Sequence, residues 1–496
     1  MSKSFFAGLT ALTLSTSSVF AALPAQAVSA SDIDTLSSTC TVTVFTDNTD
    51  GAAVVAGTLR HCLENASDGD NIEFDTDAQQ TIPLEYRLDV GVDNLTIDGE
   101  GKIILTTSGG TTPSFNGQLI RKAASAGTLT LRGLEFRNAE VTTATGIVPV
   151  GAAVQSDSDL VIEDSVFENN KADDRGGAVY GLKNITVSNS IFLDNSTLTL
   201  GGTYGDDGGA IHADGNITIT NSTFAGNESV DNGGALNARG DITITDSVFT
   251  GNSAAIKGGA VYAEGNVTVS GSNFTSNFAG VSPPVSDPGT NGGAIYSESD
   301  ATISGTTFDS NTASDDGGAV YANLIVVSSL SKIENNEAEG NGGGLYATKS
   351  ITISDSIIDG NRASLLGGGA YAHEESITST NDVVRNNSAD VGGGLHAEGD
   401  NNDGKGSLTV VDSEFDKNIA RGGSGGALRS RDAITINNSV FTENEAQSQG
   451  GAARSIGGSI TSINSTFSNN QSFLDTGSGG ALSASEDVVS TNSSFT

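Results

Sequence analysis

A glycine-rich motif that recurs at a fixed interval most constrains how this 496-residue chain folds. The motif is a Gly-Gly-Ala-like tripeptide followed by an aliphatic residue. It begins at thirteen glycines: Gly151, Gly176, Gly208, Gly233, Gly258, Gly292, Gly317, Gly342, Gly367, Gly392, Gly425, Gly450 and Gly479. Eight of the twelve intervals between them are 25 residues. Such self-similarity is the signature of stacked units, so we predict an elongated repeat protein.

A second motif, Phe-x-x-Asn, keeps a constant phase with the first. Its Phe usually lies sixteen residues after the first glycine, as in Phe224 and Asn227. An aliphatic residue replaces Phe in three units: Ile333/Asn336, Ile358/Asn361 and Val383/Asn386. Between the motifs run alternating stretches such as Ile217-Thr218-Ile219, a pattern typical of β-strands. Each unit therefore predicts three short strands and three turns, the coil of a three-sided β-helix.

The alternation of side chains across a strand predicts which residues face the interior. We expect the aliphatic residue of the first motif to point inward and the Phe residues to stack between coils. The recurring Asn is predicted to form an interior hydrogen-bonded ladder: Asn170, Asn195, Asn227, Asn252, Asn277, Asn311, Asn336 and Asn361. Glycosylation at Asn-x-Ser/Thr is the alternative interpretation. The constant phase favours the structural one.

The outward position of the first strand forms a predicted column with five consecutive tyrosines. These are Tyr262, Tyr296, Tyr321, Tyr346 and Tyr371. Exposed stacked tyrosines are candidates for binding a glycan or a protein, although the same column would also simply stabilise neighbouring strands. Further along, Arg429 and Arg454, together with Arg431, are candidates for an anionic sugar, with neutralisation by Glu443 and Glu445 as the alternative.

The first 27 residues are predicted to be a secretory signal peptide. Lys3 precedes an apolar stretch from Phe5 to Leu23, and Ala25-Gln26-Ala27 matches a small-x-small cleavage site. Residues 28–150 are then expected to form an N-terminal cap and the first irregular coils. Residues 151–496 are expected to form the repeat β-helix.

Both cysteines, Cys40 and Cys62, lie in the predicted cap. Export to an oxidising compartment favours a disulfide between them, and two free thiols are the alternative. The bridge would enclose 21 residues and stabilise the fold by about 3 kcal/mol on the loop-entropy model.

Charge argues against several partners. The formal net charge is −37, from 60 acidic and 23 basic residues. Nucleic acids and anionic membranes require Lys and Arg, so neither is an expected partner. No segment of the mature chain is apolar enough for a transmembrane helix.

Aspartates precede several Gly-Gly pairs, but no calcium-binding nonapeptide repeat accompanies them, so we expect neither metal nor cofactor. These are Asp174, Asp206, Asp231, Asp315 and Asp390.

These motifs resemble known families. The stretches Gly57-Thr58-Leu59-Arg60, Asp70–Asp75 and Leu95–Gly99 resemble the N-terminal region of bacterial pectin-lyase-like proteins. The two phase-locked motifs resemble the repeats of chlamydial-type polymorphic outer-membrane proteins. The resemblance implies a right-handed, single-stranded parallel β-helix (a solenoid). It also implies an autotransporter-like passenger at the surface of a Gram-negative outer membrane, adhering to a glycan or protein on a host or neighbouring cell.

In that family a C-terminal membrane β-barrel follows the passenger. The chain stops within a coil at Phe495 and Thr496, so we expect a repeat truncated at its C-terminus and anchorage only through a region beyond it. Inserted segments at 196–207, 278–291 and 471–478 are expected to project from one edge and to carry binding loops.

An extracellular polysaccharide lyase or glycoside hydrolase is the alternative function, because one fold hosts many activities. The regular units contain no cluster of charged residues of the kind such enzymes need, which favours adhesion and predicts no catalytic residue. The exception is an off-pattern group: Arg121, Lys122, Arg132 and Arg137.

Overall fold

The computed structural model describes residues 37–47, 53–108, 117–123, 126–142, 148–198, 205–280, 289–399, 405–474 and 479–496. The signal-peptide prediction and Pro283, Pro284 and Pro288 of the second insertion lie outside these residues. Residues 37–496 belong to one compact unit. Within the described residues, no helix has the length and apolarity needed to cross a membrane.

The described chain winds into three parallel β-sheets. Sheet 1 has 15 strands, each containing the aliphatic residue of the first motif or its counterpart. Its strands are Leu88–Val90, Ile120–Lys122, Val154–Ser156, Val179–Gly181, Ile211–Ala213, Leu236–Ala238, Val261–Ala263, Ile295–Ser297, Val320–Ala322, Leu345–Ala347, Ala370–Ala372, Leu395–Ala397, Leu428–Ser430, Ala453–Ser455 and Leu482–Ala484.

Sheet 2 has 31 strands, because most coils contribute both the alternating strand and the Phe strand to it. Its strands are Thr39–Val42, Asp70–Phe74, Gln80–Leu84, Leu95–Thr107, Thr128–Arg137, Asp159–Glu163, Val166–Glu168, Ile185–Ser188, Ile191–Leu193, Ile217–Thr220, Thr223–Ala225, Ile242–Thr245, Val248–Thr250, Val267–Ser270, Asn273–Thr275, Ala301–Ser304, Thr307–Asp309, Ile325–Ser328, Lys332–Glu334, Ile351–Ser354, Ile357–Asp359, Ile377–Thr380, Val383–Arg385, Leu408–Val411, Glu414–Asp416, Ile434–Asn437, Val440–Thr442, Ile460–Ile463, Thr466–Ser468, Val488–Thr491 and Ser494–Phe495.

Sheet 3 has 13 strands of two residues each, and all but the first directly follow the interior Asn of their coil. Its strands are Glu140–Val141, Lys171–Ala172, Ser196–Thr197, Glu228–Ser229, Ser253–Ala254, Phe278–Ala279, Thr312–Ala313, Glu337–Ala338, Arg362–Ala363, Ser388–Ala389, Ile419–Ala420, Glu445–Ala446 and Gln471–Ser472. The predicted three-sided parallel β-helix is therefore confirmed. One detail was not predicted: the Phe strand and the alternating strand of each coil belong to the same sheet.

Left-handed backbone at the corners explains the residue types found there. Asn221 lies between the alternating strand and the Phe strand with φ 47°, and Gly226 follows the Phe strand with φ 63°. Asn, Asp and Gly tolerate this conformation best. At the Gly-Gly corner, Gly233 has φ 67°. A Cβ on Gly234 would lie 2.1 Å from the carbonyl oxygen of Gly259 in the next coil. The motif glycines are therefore required by coil-to-coil contact.

The interior is a continuous column of apolar side chains. The inward isoleucines Ile217, Ile219, Ile242 and Ile244 are fully buried. The Phe stack is also buried, with ring centroids of Phe224 and Phe249 4.8 Å apart and those of Phe249 and Phe274 4.7 Å apart. The centroid distances match the spacing of hydrogen-bonded strands, so the rings repeat once per coil.

The N-terminal coils carry the single helix found in the described residues, Leu59–Glu64. Thr58 caps it by accepting a hydrogen bond from the backbone of His61. Its residues Leu59, Cys62 and Leu63 are buried against the first strands. A disulfide joins Cys40 of the strand Thr39–Val42 to Cys62 of this helix, with the Cα atoms 5.6 Å apart.

Candidate binding surface

Strand register on sheet 1 brings the predicted outward column together. Tyr262 pairs with Tyr296, Tyr321 with Tyr346, and Tyr371 with His396 in successive coils. Ring centroids along the five tyrosines are separated by 5.4, 4.9, 4.6 and 5.3 Å. The column continues through Arg429, Arg454 and Ser483.

The expected exposure of this tyrosine column is wrong. Tyr262 is 9% exposed and Tyr371 only 3%, with Tyr296 and Tyr346 between them. Tyr321 is more open but not exposed. The rings lie against each other and close to the glycine corner, so they offer little free face. Burial raises the pKa of Tyr321, Tyr346 and Tyr371.

Polar groups at the edge of the column complete its packing. The Tyr262 hydroxyl donates to Glu298 over 2.6 Å, and the Tyr371 hydroxyl lies 3.1 Å from Nδ1 of His373. The Lys257 ammonium lies 4.5 Å from the centroid of the Tyr296 ring, a cation–π geometry. These contacts support the structural interpretation of the tyrosines over a ligand platform.

Asp214 gathers basic and polar side chains in the coils below the tyrosines. Its carboxylate lies 3.2 Å from Nε2 of His212, 3.2 Å from Arg239 and 3.6 Å from Arg175, and it accepts from the Tyr180 hydroxyl. Burial lowers the pKa of His212, so this histidine is neutral at neutral pH. Arg175 also lies 3.4 Å from Asp174, so two arginines face two carboxylates and the charges of this group cancel.

Glu398 gathers a second basic group, which contains two of the predicted arginines. Its two carboxylate oxygens lie 3.2 Å from Arg429 and 2.9 Å from Arg431, and one lies 2.8 Å from Nε2 of His396. The hydrogen bond from His396 lowers the pKa of Glu398 to about 2, and burial lowers the pKa of His396 to about 4. The expected neutralisation of Arg429 and Arg431 by Glu443 and Glu445 is thus wrong. Both arginines instead share the single carboxylate of Glu398 in the preceding coil.

Arg454 differs from these two arginines. It pairs in register with Arg429, and its terminal nitrogen donates to the Ser483 hydroxyl over 3.2 Å. No carboxylate of the described residues comes within 4.0 Å of its guanidinium. Burial lowers its pKa, with no acidic side chain opposing that effect.

The off-pattern basic residues near the N-terminus make contacts with other residues of the β-helix. Arg132 bridges Asp98 and Glu163 in the coils on either side, and Arg137 contacts Glu135 and Glu168. Arg121 lies 4.0 Å from Asp157.

Lys122 is fully buried and donates to the carbonyl of Val92. Burial lowers its pKa. These basic residues are therefore occupied by structural contacts.

The aspartates that precede the Gly-Gly pairs do not assemble into a metal site. Among the described residues no group of three or more His, Cys, Asp or Glu side chains has a metal-binding arrangement. Neighbouring carboxylates do crowd one another: burial, followed by the charge of Asp231, raises the pKa of Asp207 to about 6.

The predicted asparagines form a hydrogen-bonded column inside the corner before sheet 3. Asn170 through Asn361 are each buried, and each Nδ2 donates to Oδ1 of the next, as Asn195 does to Asn227 over 3.0 Å. In one coil the assignment was wrong by one residue. Asn387 and Val384 occupy the interior positions, not Asn386 and Val383. One extra residue in the preceding turn, near Glu374 and Glu375, causes the shift.

Sequence reasoning missed a second interior column. A serine follows the corner between the alternating strand and the Phe strand in successive coils, as in Ser190, Ser222 and Ser247. The backbone N–H of each donates to the hydroxyl of the serine in the next coil. Each hydroxyl in turn donates to the carbonyl two residues earlier, as in Ser222 to Thr220. The recurring Asn/Asp-Ser pair before the Phe strand is the signal that would have revealed it.

Comparison with protein families agrees with this geometry. A model described as "Right handed beta helix region" matches residues 119–283. The class is therefore a right-handed parallel β-helix. A model described as "Chlamydia polymorphic membrane protein (Chlamydia_PMP) repeat" matches residues 271–298, 305–323 and 464–485. Three segments of the chain thus match polymorphic membrane protein repeats, as the two motifs predicted. A search of curated proteins found no match.

Proposed function

We propose that this chain is an exported, surface-displayed passenger that acts as an adhesin on a host or neighbouring cell. The polymorphic membrane protein repeats carry the proposal, because they recur in phase with the coils of the β-helix. A glycan or protein on the opposing surface is the partner. Display at an outer membrane would present the side of a stiff rod to that partner.

The contacts of the basic residues favour adhesion over catalysis. A polysaccharide lyase needs a basic group free to abstract a proton from its substrate. Arg132 and Arg137 are held between carboxylates, and Lys122 is buried. His396, in the outward column of sheet 1, is completely buried and neutral. These residues therefore support the β-helix instead of offering reactive groups.

Binding and product formation, measured together, test the proposal. Fluorescently labelled full-length protein is incubated with intact epithelial and bacterial cells. An unrelated acidic protein of similar size serves as the control. The same preparation is incubated with polygalacturonate and Ca²⁺ while the absorbance of unsaturated products is followed. Saturable binding to one cell type without product supports an adhesin. Unsaturated products, or cell binding no greater than that of the control, contradict it.

A further inference from the structure

Three arginines form a local positive site on a strongly acidic protein. Arg429 and Arg454 are neighbours in register on sheet 1, and Arg431 follows Arg429 in the adjoining turn. Glu398 contributes one negative charge to the group, and His396 is neutral because burial lowers its pKa to about 4. Three guanidinium charges and one carboxylate leave a net charge of +2, on a chain whose formal net charge is −37.

Glu398 is placed to neutralise one side of this group only. Its carboxylate lies in the coil that precedes Arg429 and Arg431. On the other side, the coil of Arg454 carries Ile456 at the position that corresponds to Glu398. The backbone confirms this alignment, because Ile456 donates to Ser430 in the way that Arg431 donates to Ala397. In the coil that precedes Arg454, the same position holds Arg431, so neither its own coil nor the preceding one supplies Arg454 with an acid at this position.

The hydrogen-bonding capacity of these guanidinium groups is not used up. Arginine has five N–H donors in a planar fork. Arg429 and Arg431 each donate to Glu398 through Nη1, and their Nη2 groups make no hydrogen bond among the described residues. Arg454 donates to an uncharged hydroxyl at 3.2 Å. Arg429 and Arg454 are backbone partners in adjacent strands, about 4.8 Å apart, and like charges at such a pair repel unless an anion lies between or beside them.

We propose that Arg454 and Arg429, supported by Arg431, bind an oxyanion of an acidic glycan, either a sulfate ester or a uronate carboxylate. Arg-to-oxyanion pairs are strong and directional, because two N–H groups can donate to two oxygens. The arginines are about one coil apart, so one anionic group can accept from both. The proposal rests on the adhesin function and names the ligand chemistry of one site on it.

Oligosaccharide binding by single-residue variants tests the site. The probes are a heparin hexasaccharide (sulfate and carboxylate), a hyaluronan hexasaccharide (carboxylate only) and uncharged maltohexaose. Dissociation constants are measured by calorimetry with the full-length protein at 50 mM NaCl, since screening weakens such contacts. Arg454→Gln is the test variant, because Arg454 has no ion pair to lose. Arg362→Gln is the matched control, since it makes the same charge change at an arginine paired with Glu337.

The wild-type protein is expected to bind a charged hexasaccharide and not maltohexaose. Arg454→Gln is expected to weaken that binding by about ten-fold, which corresponds to 1.4 kcal/mol. Arg362→Gln is expected to leave the constant unchanged within about two-fold, since it lies away from the site. Binding of heparin alone assigns the site to sulfate, and binding of both charged probes assigns it to a carboxylate. Unchanged thermal unfolding of both variants shows that the fold is intact.

Three results would overturn the site: no preference for charged probes, equal weakening by both variants, or no effect of Arg454→Gln. Cell binding of the same proteins separates this outcome from the adhesin proposal. If wild type and Arg454→Gln bind cells equally, adhesion stands and the arginine site falls. If neither wild type nor Arg454→Gln binds cells, but Arg454→Gln loses heparin binding while Arg362→Gln keeps it, the arginine site stands and adhesion falls.

Discussion

Asn227 and Asn252, which occupy the same position in successive coils, are joined through two donors and one acceptor. The backbone N–H and the Nδ2 of Asn227 both donate to Oδ1 of Asn252, at 3.0 and 2.9 Å. The same Nδ2 donates to the carbonyl of Phe192 in the preceding coil over 3.0 Å. Each asparagine therefore connects three coils, which explains why the motif tolerates changes at Phe more readily than at Asn.

Replacing Asn252 with Ala is predicted to destabilise the β-helix by about 2–5 kcal/mol. The change leaves the backbone N–H and Nδ2 of Asn227 without their shared acceptor in a buried site. It also removes the donor to Phe224. Chemical denaturation measures the total effect, and hydrogen exchange over residues 223–279 locates it.

Asn273→Ala is the matched control, since Asn273 is exposed on its strand. Its effect is expected to stay below about 0.5 kcal/mol. If the two variants unfold at the same denaturant concentration, the asparagine column does not stabilise the fold.

Truncating Phe249 to Ala is predicted to cost about 3–5 kcal/mol. The ring is fully buried between Phe224 and Phe274, so its removal opens a cavity that neighbouring coils cannot fill. Phe249→Ile is the conservative comparison, because Ile333 and Ile358 occupy the same position in other coils. It is expected to cost about half as much or less. Thermal unfolding ranks the variants, and an Ala variant as stable as the Ile variant would refute the packing argument.

The fold could be predicted because the repeat encodes it locally. In each coil, apolar/polar alternation marks the strands, and Gly, Asn and Asp mark the corners. A single tetrapeptide motif is weak evidence, but thirteen copies in phase are strong evidence for a repeat. Register failed only at Asn386, where one extra turn residue shifted the interior position to Asn387. A fixed count from the glycine cannot detect such an insertion.

The candidate surface was less accessible to sequence reasoning. The strand pattern correctly predicted that the side chains from Tyr262 to Tyr371 point out of the β-helix. It did not predict that these side chains are nevertheless largely buried. Exposure depends on the neighbouring corners and on ring stacking, which a strand pattern does not describe. The partner of Arg429 was missed for a similar reason, since Glu398 is 31 residues away in sequence but in the adjacent coil.

Stability is predicted to depend on pH through Asp316. Burial raises the pKa of Asp316 to about 6, above its ordinary value of 3.8. Between these values the folded state binds the proton more tightly than the unfolded state, so stability falls as pH rises from about 4 to 6 and then levels off. Asp316→Asn removes this penalty, worth up to about 3 kcal/mol at pH 7.5. Asparagine suits the site, because Asn291 and Asn341 flank Asp316 in adjacent coils.

Unfolding of wild type and Asp316→Asn at pH 4.5 and pH 7.5 checks this prediction. The variant should gain stability relative to wild type at pH 7.5 and gain less at pH 4.5. Asp77→Asn changes an exposed carboxylate and should follow the wild-type profile. A gain for Asp316→Asn that is the same at both pH values would show that titration of Asp316 is not the cause.

Loss of the Cys40–Cys62 bridge is predicted to destabilise the N-terminal coils by about 3 kcal/mol. The bridge holds the helix Leu59–Glu64 against the first strands, so the effect should be local to them. Hydrogen exchange of the Cys40→Ala/Cys62→Ala variant should rise over residues 39–74 and stay unchanged beyond residue 200. Uniform acceleration along the chain would contradict a local role.

Saturable binding of the purified protein to intact cells tests the central proposal most directly. Labelled protein is titrated onto each cell type with and without a hundred-fold excess of unlabelled protein, and bound label is counted. The adhesin proposal predicts a saturating curve on at least one cell type that the unlabelled protein abolishes. A linear curve that unlabelled protein does not reduce, on every cell type, would contradict it.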